Sequence, residues 1–98
     1  MIIRIHPDAE HEFNRSVDFY SDESVRVAER FIQEVESSLD QVSLAPDRWS
    51  EFEDGTRIKF LKRFPFSIIY RSVEDEVQII AIMHQSREPN YWKGRRFS

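Results

Sequence analysis

Apolar residues recur at helical spacing in the first part of the chain. Ala9, Phe13, Val17 and Tyr20 lie three or four positions apart, so they would share one face of a helix. Pro7 precedes them, and proline favours the first helical position because its φ angle is already helical and no needed N–H is lost. The pattern predicts an amphipathic helix from Pro7 to Tyr20.

A second helical pattern follows a polar break. Residues 21–24 are rich in helix-capping side chains. Helical spacing of apolar residues then resumes from Ala28 to Val42. The helix should end by Ala45, because the residue before Pro46 is disfavoured in the helical region. We predict that the two helices form a hairpin.

The remaining regular structure is predicted to be β-strand. Residues 2–6 form a short β-branched segment before the first helix. Residues 57–62, 66–73 and 77–84 have strand character, and the short polar turns between them favour an antiparallel meander. The middle of the segment 77–84 is apolar on both faces, so we expect this strand to be central or covered on both sides.

Together these elements predict a single α+β domain spanning residues 1–98. Their order is β-α-α-β-β-β, with the helical hairpin packed on a mostly antiparallel four-stranded sheet. The pattern does not indicate which strand lies beside the first one.

Composition excludes several classes of function. The chain has no Cys, so disulfides and a thiolate nucleophile are excluded, and its two Gly are too few for a phosphate-binding loop or a dinucleotide fingerprint. We therefore expect no cofactor. No apolar run approaches the length of a membrane span or a secretion signal, which predicts a cytoplasmic protein without membrane association.

Charge is distributed unevenly along the chain. Residues 1–54 contain five Arg and fourteen acidic residues, whereas residues 55–98 contain nine basic and four acidic residues. The net charge of −4 therefore conceals a basic segment, and such a segment attracts anionic partners.

The basic segment contains the side chains that metal-free RNA cleavage requires. Attack of a 2′-hydroxyl on the neighbouring phosphate needs a base, an acid and positive charge near the phosphate. Lys59 or His84 would act as the base, and Tyr91 or His84 as the acid. The residues that would stabilise the developing charge are Arg63, Arg71 and Arg87. The alternative is that all of these are solvated strand residues, the usual outcome for charged side chains on an exposed sheet face.

Potential metal ligands occur near the start of the chain, at His6, Asp8, His11 and Glu12. Acidic residues are also favoured in the first turn of a helix, and no HExxH spacing is present. We interpret these residues as the start of the first helix and expect no metal site.

Three segments resemble the RelE/ParE superfamily of bacterial toxins, in the branch of plasmid stabilisation proteins: IHPDAEHEFNRSVDFY, RFPFSIIYR and HQSREPNYWKGR. The resemblance covers nearly the whole chain. Its most specific elements are Phe64-Pro65-Phe66 followed by Ile69-Tyr70-Arg71, and His84 followed by Arg87, Pro89, Tyr91-Trp92 and Arg95. The resemblance implies the toxin of a type II toxin-antitoxin module, neutralised by a small cognate antitoxin.

The resemblance leaves the cellular target open. RelE-like members are ribosome-dependent mRNA endonucleases, and this hypothesis would make the cationic set around Lys59, Arg87 and Tyr91 catalytic, with His84 as a catalytic histidine. ParE-like members poison DNA gyrase and lack the nuclease residues. The acidic net charge and the RxPxYW ending favour the ParE-like hypothesis. A third hypothesis is a non-toxic interaction module that retains the fold.

Antitoxin binding carries its own physical expectation. The antitoxin would neutralise the basic face, or it would cover an apolar groove between the helical hairpin and the sheet. The sequence does not indicate an oligomeric state. The residues predicted to bind a partner are Arg57, Arg63, Arg87, Trp92 and Arg95.

Overall fold

The first helix is fixed at its start by the residue that precedes it. In the computed structural model, which describes residues 1–98, β1 (Ile2–Ile5) leads into α1 (Pro7–Glu23). His6 is the N-cap of α1, because its Nδ1 accepts a hydrogen bond from the backbone N–H of Asp8 at 3.0 Å. Pro7 occupies the first turn, as predicted. His6 is therefore engaged in helix capping.

A single residue separates the two helices. Ser24 is extended, and its backbone N–H donates to the carbonyl oxygen of Tyr20 at 2.8 Å, which closes α1. Its Oγ accepts from the backbone N–H of Val27 at 3.3 Å, which opens α2 (Val25–Leu44). The first helix thus continues to Glu23, and the predicted polar break shortens to Ser24 alone.

The strands form one mixed sheet with the order β1-β5-β4-β3-β2. The predicted antiparallel meander is confirmed as β3 (Arg57–Phe60), β4 (Phe66–Val73) and β5 (Glu76–His84). The structure adds a two-residue strand, β2 (Ser50–Glu51), and places β1 parallel to β5 at the other edge. The α+β class is confirmed, with five strands in the sheet.

An aromatic cluster joins the helical hairpin to the sheet. Phe31 of α2 is fully buried, and its ring lies 5.0–5.8 Å from those of Phe13, Tyr20, Phe64 and Phe66. Aromatic pairs at this spacing contribute roughly 0.5–1.5 kcal/mol each beyond the burial of their area. The apolar helix faces predicted from spacing are therefore the faces that meet the sheet. Neither helix combines the length and apolar content needed to cross a membrane.

The C-terminal segment covers the other face of the sheet. Ile58, Ile69, Ile80 and Ala81 form a second buried cluster with Trp92. The strand β5 therefore packs on the helix side and on the C-terminal side, as its apolar pattern predicts. Burial on both faces explains why this strand shows no polar alternation over its middle residues.

Tyr70 holds the turn after α2 against the sheet. The helix ends at Ala45, as predicted, and the hydroxyl of Tyr70 donates to the carbonyl oxygen of Pro46 at 2.5 Å. Tyr70 is fully buried. Burial raises the pKa of Tyr70 to about 12, with a lowering effect from Arg57 and a raising effect from Asp47.

Alkaline unfolding should report this buried hydroxyl. In the unfolded chain Tyr70 ionises near its ordinary pKa of 10.0, whereas in the folded protein it ionises at about 12. Its stabilising contribution is therefore complete below the lower value and is lost as the pH rises through the higher one. We expect Tyr70 to account for a fall of about 1 kcal/mol in unfolding free energy from about pH 9 to about pH 11.

Urea unfolding of the wild type and of Tyr70→Phe measures this difference. The variant should be less stable at neutral pH by about 1 kcal/mol, because one hydrogen bond is lost. Its free energy of unfolding should then fall less steeply in alkali. An equal fall in the two proteins would show that Tyr70 is not the group responsible.

Candidate functional site

A largely buried carboxylate on α1, that of Glu12, lies at the open edge of β5. The strand β1 pairs with β5 only as far as Ile79. Beyond that point Glu12 Oε1 accepts from the backbone N–H of Ile82 at 3.0 Å, and Arg95 Nη1 donates to the carbonyl oxygen of Ile80 at 2.9 Å. Two side chains therefore satisfy backbone groups at an edge that no neighbouring strand covers.

Glu12 and Arg95 also form a bidentate ion pair. The distances are 3.0 Å between Nη1 and Oε1 and 2.9 Å between Nη2 and Oε2. The side chains are only 14% and 12% exposed, so water screens the pair weakly. Asp8 adds a longer contact of 3.6 Å to Arg95 Nε. This pair ties the C-terminal segment to α1, in a geometry that two parallel hydrogen bonds make specific.

Tyr91 completes the cluster, which we call the tail clamp and define as Glu12, Arg87, Tyr91 and Arg95. The hydroxyl of Tyr91 donates to Glu12 Oε2 at 2.5 Å. The guanidinium carbons of Arg87 and Arg95 lie 3.9 Å and 5.0 Å from its ring centroid, distances at which cations attract an aromatic face. Arg87 is the outer member, 48% exposed and 4.0 Å from Glu12.

Burial and Glu12 keep the Tyr91 hydroxyl protonated. Burial raises the pKa of Tyr91 above its usual range, and the hydrogen bond and charge of Glu12 raise it further, against the opposing charges of the two arginines. Burial alone would lower the pKa of Arg95, but Glu12 outweighs that effect and raises it. A phenol held in this way is a weak acid, whereas the role predicted for Tyr91 in RNA cleavage requires a ready proton donor.

Lys59 lies elsewhere, in a polar cleft between α2 and the turn that joins β3 to β4. This α2 cleft has a volume of about 270 Å³, and Lys62 and Arg63 also line it. Lys59 is only 5% exposed, with its ammonium 4.5 Å from the centroid of the Trp49 ring. Burial lowers the pKa of Lys59, an effect that the charge of Glu34 opposes.

His84 and Arg71 occupy opposite faces of the sheet. His84 packs edge-on against Phe66 at 5.0 Å between centroids, and its Nδ1 accepts from the backbone N–H of Ser86 at 3.0 Å. The proton of the neutral imidazole is therefore on Nε2. Arg71 follows Tyr70 on β4, so alternation directs its side chain to the face away from the helices.

The predicted partner-binding residues differ in exposure. Trp92 is only 2% exposed inside the second buried cluster, so its prediction as a partner contact is corrected to a packing role. Arg95 is engaged in the tail clamp. Arg57 donates to two backbone carbonyl groups of the loop after α2. Arg63 and Arg87 are the exposed members of the set.

The predicted nuclease residues do not converge on one site. Lys59 and Arg63 line the α2 cleft, whereas His84, Arg87 and Tyr91 line a depression beside α1, and no residue lines both. The meander brings the three strands together as predicted. Lys59 and His84 both face the helices, since each pairs with a residue of the first buried cluster, but they lie at different pockets, so the expected approach of Lys59 to His84 is corrected.

Two acidic residues have roles that the sequence-based predictions did not include. Glu12 follows the buried Ala9 by one helical turn, so an acid on the inward stripe was a readable signal for a buried ion pair. Glu34 accepts hydrogen bonds from the backbone N–H groups of Lys62 and Arg63 and holds the β3–β4 turn. Nothing in the sequence near Glu34 indicates this contact.

Removing the carboxylate of Glu12 should release the C-terminal segment. Glu12→Ala leaves Asp8, through its longer contact, as the only acidic partner of Arg95 and leaves the N–H of Ile82 unpaired in a largely buried site, so it should lower the free energy of unfolding by roughly 3 kcal/mol. Urea unfolding measures the loss. Limited proteolysis of the native protein reports whether residues 85–98 become cleavable.

Arg87→Ala is the matched control. Arg87 belongs to the same cluster but is 48% exposed, so its loss should cost about 1 kcal/mol at most. Equal costs for the two variants, or a C-terminal segment that stays protected in Glu12→Ala, would contradict the role assigned to Glu12.

One family model matches this sequence, and a solved structure shares its fold. The family model described as the ParE toxin of the type II toxin-antitoxin system parDE matches residues 3–89. A solved structure described as the chromosomal ParDE TA system from P. aeruginosa shares the fold, with a TM-score of 0.74 at 20% identity over 86% of this chain and 95% of that chain. The comparison with curated protein sequences finds no match. Because the family model spans most of the chain, this protein belongs to the ParE toxin family of type II toxin-antitoxin systems.

Proposed function

We propose that this ParE-family toxin acts in the cytoplasm, inhibits growth through DNA gyrase without cleaving RNA, and is neutralised by a cognate antitoxin. The observation that carries the proposal is the separation of the candidate nuclease residues. Tyr91 donates its proton to Glu12, and Lys59 lies in a different cleft. An inhibitor that only binds its target needs an exposed surface and no proton-transfer pair.

The RelE-like hypothesis demands more than these residue types. A base and an acid must stand on either side of one phosphate, within hydrogen-bond reach of the atoms that exchange protons. His84 and Arg87 lie near each other beside α1, but the phenol that would complete the set serves the tail clamp. The geometry therefore supports binding better than catalysis.

Paired assays with the purified protein separate the two hypotheses. We expect inhibition of DNA supercoiling by gyrase, and intact mRNA on translating ribosomes. Tyr91→Phe keeps the ring and removes the hydroxyl, so RNA should remain intact with this variant as well. RNA cleavage by the wild type that Tyr91→Phe abolishes would overturn the proposal in favour of the endonuclease hypothesis.

The third hypothesis, a non-toxic interaction module, has its own test. Strong induction in a bacterium without the antitoxin should arrest growth if the chain is a toxin. Unchanged growth, with soluble folded protein in the cells, would support the non-toxic hypothesis and contradict both toxin mechanisms.

Two surfaces suit the antitoxin. Arg63 and Arg87 are exposed cations outside the buried clusters. An apolar groove of about 170 Å³ also lies between the helical hairpin and the sheet. Glu10 and Glu36 lie beside the apolar groove, so it suits an apolar partner segment with basic residues. The two exposed arginines instead suit an acidic partner segment. The lining residues are Ile5, Glu10, Phe13, Val35, Glu36, Leu39 and Ile82.

We expect charge to contribute to antitoxin binding through Arg63 and Arg87. Either residue changed to Ala should weaken the complex by roughly two- to fivefold, as for exposed ion pairs, and added salt should weaken the wild-type complex. Arg26→Ala is the control: it removes an exposed cation of α2, away from both arginines, and should leave the affinity for the antitoxin unchanged. Calorimetric titration measures all three. An affinity independent of salt would favour the apolar groove as the main contact.

A further inference from the structure

The α2 cleft has an excess of positive charge, because four cationic side chains and only one carboxylate line it. Arg30 projects from α2, Lys59 from β3, and Lys62 and Arg63 from the turn, whereas Glu34 is the only acidic residue in the lining. No apolar side chain lines the cleft, and its remaining wall consists of Ser and Gln residues of α2. The cleft is therefore a concave, polar and net positive surface on a chain whose overall charge is −4.

Glu34 does not neutralise these cations through ion pairs. Its carboxylate accepts hydrogen bonds from the backbone N–H groups of Lys62 and Arg63, so it serves the turn. None of the four cations forms a salt bridge, although Arg57, Arg87, Lys93 and Arg95 elsewhere in the chain do. The positive charge of the cleft thus remains available.

Lys59 is the member that most needs a partner. It is only 5% exposed and its side chain makes no hydrogen bond or ion pair, and its ammonium lies 4.5 Å from the centroid of the Trp49 ring. Partial loss of water around an ammonium that lines a cleft favours an anion or hydrogen-bond acceptor beside it. The lowered pKa of Lys59, which burial causes, is consistent with this loss of water.

We propose that the α2 cleft binds a phosphate group of a small anionic ligand. Two features favour phosphate over the carboxylate of a protein partner. Four cations against one engaged carboxylate exceed the charge of a single acidic side chain, and a wall without apolar residues offers nothing to the hydrocarbon stem of Asp or Glu. Lys59 is the buried member of the site, and Arg30, Lys62 and Arg63 are its exposed members.

This site is separate from the tail clamp and from the proposed action on gyrase. No residue of the α2 cleft lines the depression beside α1. The helix α2 and the β3–β4 turn would both contact the ligand, so binding would stabilise the folded state through mass action. The site shares Arg63 with the surface proposed for the antitoxin, but phosphate binding and action on gyrase can each fail while the other holds.

Titration with inorganic phosphate at constant ionic strength tests the site in the full chain. The backbone N–H signals of Lys62 and Arg63 in nitrogen-15 NMR spectra are the reporters, since these groups lie at the cleft. We expect saturable shifts confined to the cleft and a rise of a few degrees in the thermal midpoint at saturation. Shifts that grow linearly without saturation, or that chloride produces equally, would overturn the proposal.

Lys59→Met removes the buried charge and keeps an unbranched side chain. Phosphate affinity should fall by about tenfold or more, because charge-assisted contacts are lost, while the thermal midpoint without phosphate should not fall. If this variant fails to fold, the exposed Lys62→Met and Arg63→Met variants provide the same test. Arg26→Met, an exposed cation of α2 outside the cleft, is the control and should bind phosphate as the wild type does. An equal loss of phosphate affinity in Arg26→Met would show that only the total charge of the protein matters, and it would overturn the proposed site.

The source of the phosphate is resolved by three further probes. If pyrophosphate and a nucleoside diphosphate bind equally tightly, the ligand of the cleft is a free polyphosphate. If the nucleoside diphosphate binds more tightly, the ligand is a nucleotide. Both outcomes support the site. A glutamate-rich peptide that shifts the same N–H signals when phosphate does not would overturn the proposal and assign the cleft to a protein carboxylate.

Discussion

The carboxylate of Glu12 is the constraint on which the arrangement of the sheet depends. The strand β1 is too short to cover β5, and Glu12 with Arg95 meets the exposed N–H and carbonyl groups beyond its end. The same pair draws the C-terminal segment into place, which buries Trp92 on the second face of the sheet. One ion pair therefore satisfies the free edge of β5 and holds the C-terminal segment against the second face of the sheet.

The parts of the fold that sequence predicted are those that local chemistry determines. Helical spacing, the capping at Ser24 and the stop before Pro46 each act within a few residues, and all were readable. The strand β5 was recognised by its lack of polar alternation. The parallel pairing of β1 and the contact of Glu12 with Arg95 join positions far apart, 83 residues in the latter case, so no local pattern encodes them.

The candidate site shows the same division between residue type and placement. The residue types, cations with a histidine and a tyrosine in the second part of the chain, can be read from the sequence, and the family resemblance was confirmed. Their chemistry depends on neighbours that a linear motif does not name. Tyr91 donates its hydroxyl hydrogen bond to Glu12, and Lys59 and His84 both face the helices but line different pockets.

The pairing of β1 with β5 also sets the order in which the toxin is completed during synthesis. Ile2 pairs with Glu76, so the first strand emerges from the ribosome long before its partner exists. The helical hairpin forms from local contacts, but its apolar face has no sheet to cover until the meander follows. Arg95 arrives later still. A ribosome translating this message therefore carries the helical hairpin without its sheet until β5 has been made, and the tail clamp closes only after Arg95 follows.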